Sequence, residues 1–238
     1  MATTQSLADA AVALAQTRRK ADLADLVEEL RIPSISTLPE RREDCLRNAR
    51  WLRDRFAALG MKVDIVDVVA GGLPVVVAGW EGRPGKPHLT IYGHYDVQPT
   101  DPIDLWNSPP FEPVVRDGHL WARGAADNKG NHMATVKAVE HLFAAGGPPV
   151  NVRFIIEGEE EISGRSLPKY LRANGARLKT DAVLIWDSGR WLGSSPSSRT
   201  AKATLRSPVS MTRSKGPARK SSPPGRRRTR NTPTRSSA

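Results

Sequence analysis

One imidazole and five carboxylates in this sequence stand where a folded chain could bring them together. His94 and Asp96 lie two apart in Gly93-His94-Tyr95-Asp96, at the end of the apolar run Leu89-Thr90-Ile91-Tyr92. If that run is a strand, alternation sends both side chains to the same side. A histidine so placed can bind a metal through one ring nitrogen while the carboxylate orients the ring. Asp127 sits in the small-residue loop 123–130, Glu160 and Glu161 follow the apolar run 150–156, and Asp187 follows the run 182–186. One histidine with several carboxylates and no thiolate suits Zn²⁺ or another first-row divalent ion. A glutamate beside a ligating glutamate can take a proton from water. Each cluster also has a plainer reading taken singly. His94 and Asp96 could be a local hydrogen-bonded pair, Glu157–Glu161 a solvated acidic turn, Asp127 an Asx turn or helix cap, and Asp187 a strand-end turn residue. Four clusters at matching places argue for the shared site.

The elements that must position these groups are legible as periodicity. Leu7, Ala10, Ala11 and Leu14, then Leu23, Leu26, Val27 and Leu30, predict a helix over 6–30, broken at Ile32-Pro33-Ser34. A second helix is expected over 43–59, with Leu46, Ala49, Leu52, Phe56 and Leu59 on one face and Gly60 as its stop. Strands are expected over 63–68 and 73–80 around the Gly71-Gly72 turn, and the strand carrying His94 follows. The loop 98–113 holds Trp106 and Phe111, which should pack onto something. A hairpin turning at Asp117-Gly118 comes next. A helix over 131–145, a strand over 150–156, a short helix over 166–174 and a strand over 182–186 complete the pattern. His132 and His141 ride on the 131–145 helix, where solvated or hydrogen-bonded roles are expected; His88 and His119 read as solvated surface residues. Strands alternating with helices predict an α/β fold with a doubly wound, mostly parallel sheet. Such sheets take ligands at the carboxyl ends of their strands, where all four clusters fall.

Composition divides the chain. The 36 Lys and Arg against 25 Asp and Glu give a formal charge of +11, but 12 of the basic residues and no acidic ones lie in 194–238. Residues 1–193 therefore keep 24 basic against 25 acidic side chains and are near neutral. The remainder is a Ser/Pro/Arg-rich tail with too little bulky apolar surface to offset its ordering entropy, and disorder is expected there. Cys45 is the only cysteine, which excludes an intrachain disulfide and cysteine-based zinc fingers. With no secretory signature and no window approaching a membrane span, the expectation is a soluble, cytoplasmic protein without membrane contact.

GHYDVQP at 93–99, the Trp106…Pro110-Phe111 loop, DGHLWARGAADNKG at 117–130 and EGEEEI at 157–162 occur in this order. Together they resemble the M20 family of metallopeptidases over residues 20–190. The likeness is greatest to its dipeptidase and carboxypeptidase branch of carnosine-dipeptidase-like enzymes. The resemblance implies a catalytic α/β domain holding two divalent metal ions, usually zinc, and an inserted lid domain through which members dimerise. It assigns His94 to the first metal, Asp96 to orienting the site, Asp127 to bridging both metals and Asp187 to completing the first shell. Glu160 becomes the general base and Glu161 a ligand of the second metal. The implied reaction is hydrolysis of a peptide bond in a dipeptide or short peptide, beside a free C-terminal carboxylate, by metal-activated water.

Two departures stand out. Ile162-Ser163-Gly164 occurs where the family commonly has Ile-Gly-Ser. After Trp191-Leu192-Gly193 no lid domain and no distal histidine for the second metal are found. A truncated catalytic domain over 1–193 is therefore expected, with little or no turnover and with the first metal bound more tightly than the second, or alone. The tail 194–238 reads as a frameshift product, or else as a basic arm binding nucleic acid non-specifically, since it lacks aromatic side chains for stacking. Two other functions stay open: an N-acyl-amino-acid amide deacylase of the same superfamily, and a non-catalytic basic nucleic-acid-binding protein.

Overall fold

The computed structural model describes residues 4–187; the expected boundary at 193 and the tail 194–238 lie outside the described residues. The chain runs α1 (Thr4–Leu30), α2 (Arg42–Ala58), β1 (Lys62–Val66), β2 (Val75–Trp80), β3 (His88–His94), β4 (Val114–Arg116), β5 (His119–Trp121), α3 (Lys129–Ala144), β6 (Asn151–Glu157), α4 (Ser166–Asn174) and β7 (Ala182–Ile185). Every helix and strand expected from the periodicity is present within a few residues of its expected ends.

Five strands form one sheet in the order β1-β2-β6-β3-β7. The pairs β1–β2 and β2–β6 are antiparallel, whereas β6–β3 and β3–β7 are parallel. The α/β expectation stands, but the sheet is mixed rather than mostly parallel. The reason is local: Gly71-Gly72 turns β1 back on β2 as a hairpin, and only the later strands are reached through crossover helices. β4 and β5 pair apart from the sheet, with Asp117 and Gly118 at φ 53° and 75° in the tight turn.

Register puts Val76, Ala78, Ile91, Val152, Phe154 and Ile156 on one face of the sheet. Leu52 and Phe56 of α2 and Met133, Val136 and Val139 of α3 pack against that face and form the main core. The Phe56 and Phe154 rings lie 4.7 Å apart. On the other face, Arg153 donates to the Arg177 carbonyl just beyond α4 at 3.4 Å. Burial of apolar area of this kind, at about 25 cal/mol per Å², dominates the stability of such a layer.

α1 turns inward the apolar stripe its sequence suggests, with Ala11 and Leu30 buried, and sets a polar stripe beside it. Leu26 reaches the edge of the core, but the face turned to α3 is a stripe of Asp22, Asp25 and Glu29, spaced three and four apart. Asp22 meets His141 at 2.8 Å, Asp25 pairs with Lys137 and with Arg55 of α2 (2.6 Å), and Glu29 meets His132 at 2.8 Å. Burial alone would raise the Asp25 carboxyl, but hydrogen bonds from Lys137 and Arg55 outweigh it and hold its pKa below the ordinary value. Among the described residues, no helix is long and apolar enough to cross a membrane.

Candidate metal centre

β3 delivers His94 to the carboxyl edge of the sheet, in register with Glu157 of β6, and both residues are buried. Nδ1 of His94 lies 3.3 Å from the Asp96 carboxylate and 3.1 Å from the Asp96 carbonyl. With Nδ1 donating there, Nε2 is left facing outward. Around Nε2 stand Asp127 Oδ1 at 3.1 Å, Glu160 Oε2 at 3.9 Å and Asp187 Oδ2 at 3.9 Å. The four clusters of the sequence therefore meet at one point.

Asp96 itself does not reach that opening. Its wholly buried carboxylate accepts from Ser36 Oγ (2.7 Å) and from the backbone N–H groups of Glu160 (3.3 Å) and Glu161 (3.1 Å). One carboxylate thus fixes both the imidazole and the single 3-10 turn Glu160–Ile162 that presents the two glutamates. Glu159 anchors the same turn from behind, accepting from Leu73 N (2.7 Å) and Ser166 N (3.0 Å). Gln98 Nε2 donates to Glu161 Oε2 at 2.7 Å. The Ser163-Gly164 order has a visible consequence. Ser163 takes φ 52°, in the left-handed region that favours glycine, while a Cβ at Gly164 would lie 2.1 Å from Glu159 Cβ.

Asn128, the first residue before α3, joins three chain segments. Its Oδ1 accepts from His94 N (3.3 Å), and its Nδ2 donates to Trp186 O (2.9 Å) and Asp187 Oδ1 (3.1 Å). The role of Asn128 was not legible in the sequence, nor were those of Ser36, Glu29 and His132. The only signal was the four-residue spacing of Asn128 and His132 just after Asp127. His132 and His141 are buried and hydrogen-bonded, which was one of their two expected roles. His88 is half-buried, with Nε2 3.4 Å from Asn151 Nδ2, rather than solvated. His119 is exposed as expected.

The electrostatics suit a cation. Burial pulls the His94 pKa down, but the hydrogen bond and charge of Asp96, with the charges of Asp127 and Glu160, outweigh it and push it up to about 9. The excess of carboxylates thus attracts positive charge strongly enough to keep a proton on the ring. Burial also raises Glu161, with Asp127 and Asp96 adding to the rise and Gln98 opposing it. Glu157 is pushed up to about 7, first by burial and then by the Asp96 and Glu160 charges, against the hydrogen bond it accepts from Tyr92 Oη at 2.8 Å.

Two donor sets lie within 4.8 Å internally: His94, Asp127 and Asp187, and His94, Glu160 and Glu161. Imidazole nitrogen with carboxylate oxygen is the donor chemistry of zinc and its first-row neighbours, so these residues fit a divalent ion. Both sets draw on the same imidazole, and Nε2 can serve one ion. A third set, Asp22, Asp25 and Glu140, already faces Lys137 and Arg55 and has no need of a metal.

Residues 90–219 match the sequence profile of peptidase family M20/M25/M40. The chain belongs to this family. The match continues past the change in composition at Ser194. The chain is 34% identical over 149 residues to the Beta-Ala-His dipeptidase of Rattus norvegicus, covering 58% of this chain and 30% of that protein. It is 44% identical over 95 residues to the succinyl-diaminopimelate desuccinylase of Azoarcus sp. (strain BH72), covering 40% of this chain and 24% of that protein. Its fold matches the crystal structure of human carnosine dipeptidase 1 with a TM-score of 0.72 and 31% identity, over 76% of this chain and 41% of that one. The chain thus spans about a third of the length of the curated relatives it matches.

Proposed function

We propose that this M20-family chain carries the metal-binding part of an enzyme that hydrolyses the peptide bond of dipeptides or short peptides. The observation that carries the reading is the convergence of His94, Asp127, Glu160, Glu161 and Asp187 at the carboxyl edge of the sheet. Similarity to a Beta-Ala-His dipeptidase supports the substrate class. His94 Nε2, Asp127 and Asp187 would hold one divalent ion, zinc by donor type, and Asp127 with Glu161 would reach towards a second. An ion held there supplies Lewis acidity towards water and towards a peptide carbonyl. Asp96 keeps Nδ1 of His94 occupied, so that Nε2 faces the donors. Glu160, partly exposed and anchored through its backbone, would take a proton from water at Oε2 and pass it to the departing amine. Gln98 steadies Glu161 beside it. A cytoplasmic location belongs to the same proposal.

Calorimetric zinc titration of the 1–238 chain beside His94→Ala tests the reading. The wild-type chain is expected to bind zinc, and His94→Ala to bind it at least about tenfold more weakly. Equal binding by the two chains would refute the site. A second reading, amide deacylation of an N-acyl amino acid, is favoured by the 44% identity to the desuccinylase. Amine release from β-alanyl-histidine compared with N-succinyl-diaminopimelate separates the two.

A further inference from the structure

The main-chain groups of His94 are held in an unusual way. Its N–H points to Asn128 Oδ1 (3.3 Å) and its C=O accepts from His132 Nδ1 (3.0 Å). Asn128 and His132 are four residues apart, so one face at the start of α3 holds both main-chain polar groups of the residue that ends β3. That grip needs close approach of the helix to the strand, and residue 93 is where it happens. A Cβ at Gly93 would lie 2.7 Å from His132 Cβ and 3.1 Å from Asn128 Oδ1.

His132 is in turn held from behind. Its Nε2 lies 2.8 and 3.0 Å from the two carboxylate oxygens of Glu29, and both side chains are wholly buried. The partners of the ring are a carbonyl and a carboxylate, so the pattern is complete only with a proton on each line of contact, whichever of Glu29 and His132 owns the second one. Lys129 of the same helix turn donates to the Glu29 carbonyl (3.2 Å) and the Ile32 carbonyl (2.7 Å), fixing the end of α1 that carries the carboxylate. A hydrophobic pair would fill this space at lower cost, since burying a carboxylate and an imidazole is expensive unless each bond is made.

We infer that Glu29 and His132 are positioning residues for the His94 imidazole, setting the backbone from which it reaches the metal. This inference rests on the metal-site reading above. Neither residue touches the donors. Glu29 acts through His132, and His132 acts through the His94 carbonyl. The orientation of Nε2 is then fixed from both ends, by Asp96 at Nδ1 and by His132 at the peptide.

Zinc and Co²⁺ titrations of the 1–238 chain, with far-UV circular dichroism on every variant, test this. His132→Ala is expected to bind zinc about 10- to 100-fold more weakly, the range for lost support of a ligating histidine. The visible absorption of its Co²⁺ complex should change in position or intensity, which a loss of stability alone does not produce. Glu29→Gln, which keeps shape and one acceptor, is expected to weaken zinc binding by a smaller factor. Adding His132→Asn to Glu29→Gln restores a donor at the place of Nδ1 and should bind zinc more tightly than His132→Ala. Should His132→Ala fail to fold, the two Glu29→Gln chains decide. Folded variants with wild-type zinc affinity and an unchanged Co²⁺ spectrum would overturn the inference, while His94→Ala still losing zinc would leave the site standing. Wild-type and His94→Ala binding alike would bring down both.

Discussion

Asp96→Asn removes a charge and no volume from the one carboxylate that serves both halves of the metal centre. Four donors converge on that carboxylate: Ser36 Oγ, the N–H groups of Glu160 and Glu161, and Nδ1 of His94. An amide offers one oxygen with two lone pairs, and its NH₂ would face donors. Two of the four are therefore left without an acceptor. His94 Nδ1 retains the Asp96 carbonyl at 3.1 Å, and the Ser36 hydroxyl can rotate; Glu160 and Glu161 N–H point at different oxygens, so the loss falls on one of these two backbone groups. At roughly 1–3 kcal/mol for a buried donor left unpaired, the variant is expected to lose about 1–3 kcal/mol of stability. Zinc affinity should fall about 10- to 100-fold. Urea unfolding followed by circular dichroism measures the first, and calorimetry the second. A change in stability below about 0.5 kcal/mol, the range of an ordinary surface substitution, together with unchanged zinc affinity, would refute the role given to Asp96.

Two further outcomes are expected. Gly93→Ala forces a methyl group against His132 and Asn128 and should cost about 1–3 kcal/mol, with weaker zinc binding in the same chain; an alanine chain of wild-type stability and affinity would show that α3 does not depend on this contact. Glu157, raised from its ordinary 4.5 to about 7, takes up a proton on folding between those values. Its contribution is full below about 4.5 and is lost as pH rises through 7, so metal-free stability should decline over that window, by at most about 3 kcal/mol. Glu157→Gln should flatten the decline, and a slope that survives the substitution would assign it to another group.

Most residues of the candidate metal centre were legible because His94, the two glutamates and Asp187 end or follow strands of the sheet, and strand ends are written locally in apolar runs and turn residues. Periodicity of three and four placed α2 and α3, and short apolar runs placed the strand that ends at His94 and the strand that Glu160 follows. The sequence also carried the family likeness, since its motifs lie in short contiguous stretches. What the sequence alone could not decide was which groups stand behind the site. Glu29 is 103 residues from His132, and Ser36 is 60 from Asp96, and no local pattern connects them. Nothing in the sequence marks Asp22, Asp25 and Glu29 of α1 as paired, because their partners lie on other helices far along the chain. The sheet expected to be mostly parallel is mixed for a similar reason: an apolar run gives a strand but not its direction, and β2 pairs antiparallel with β6 on the edge that the hairpin leaves open. Local chemistry determined what the site is made of, and long-range packing of α1 and α3 decided how firmly His94 is held in it.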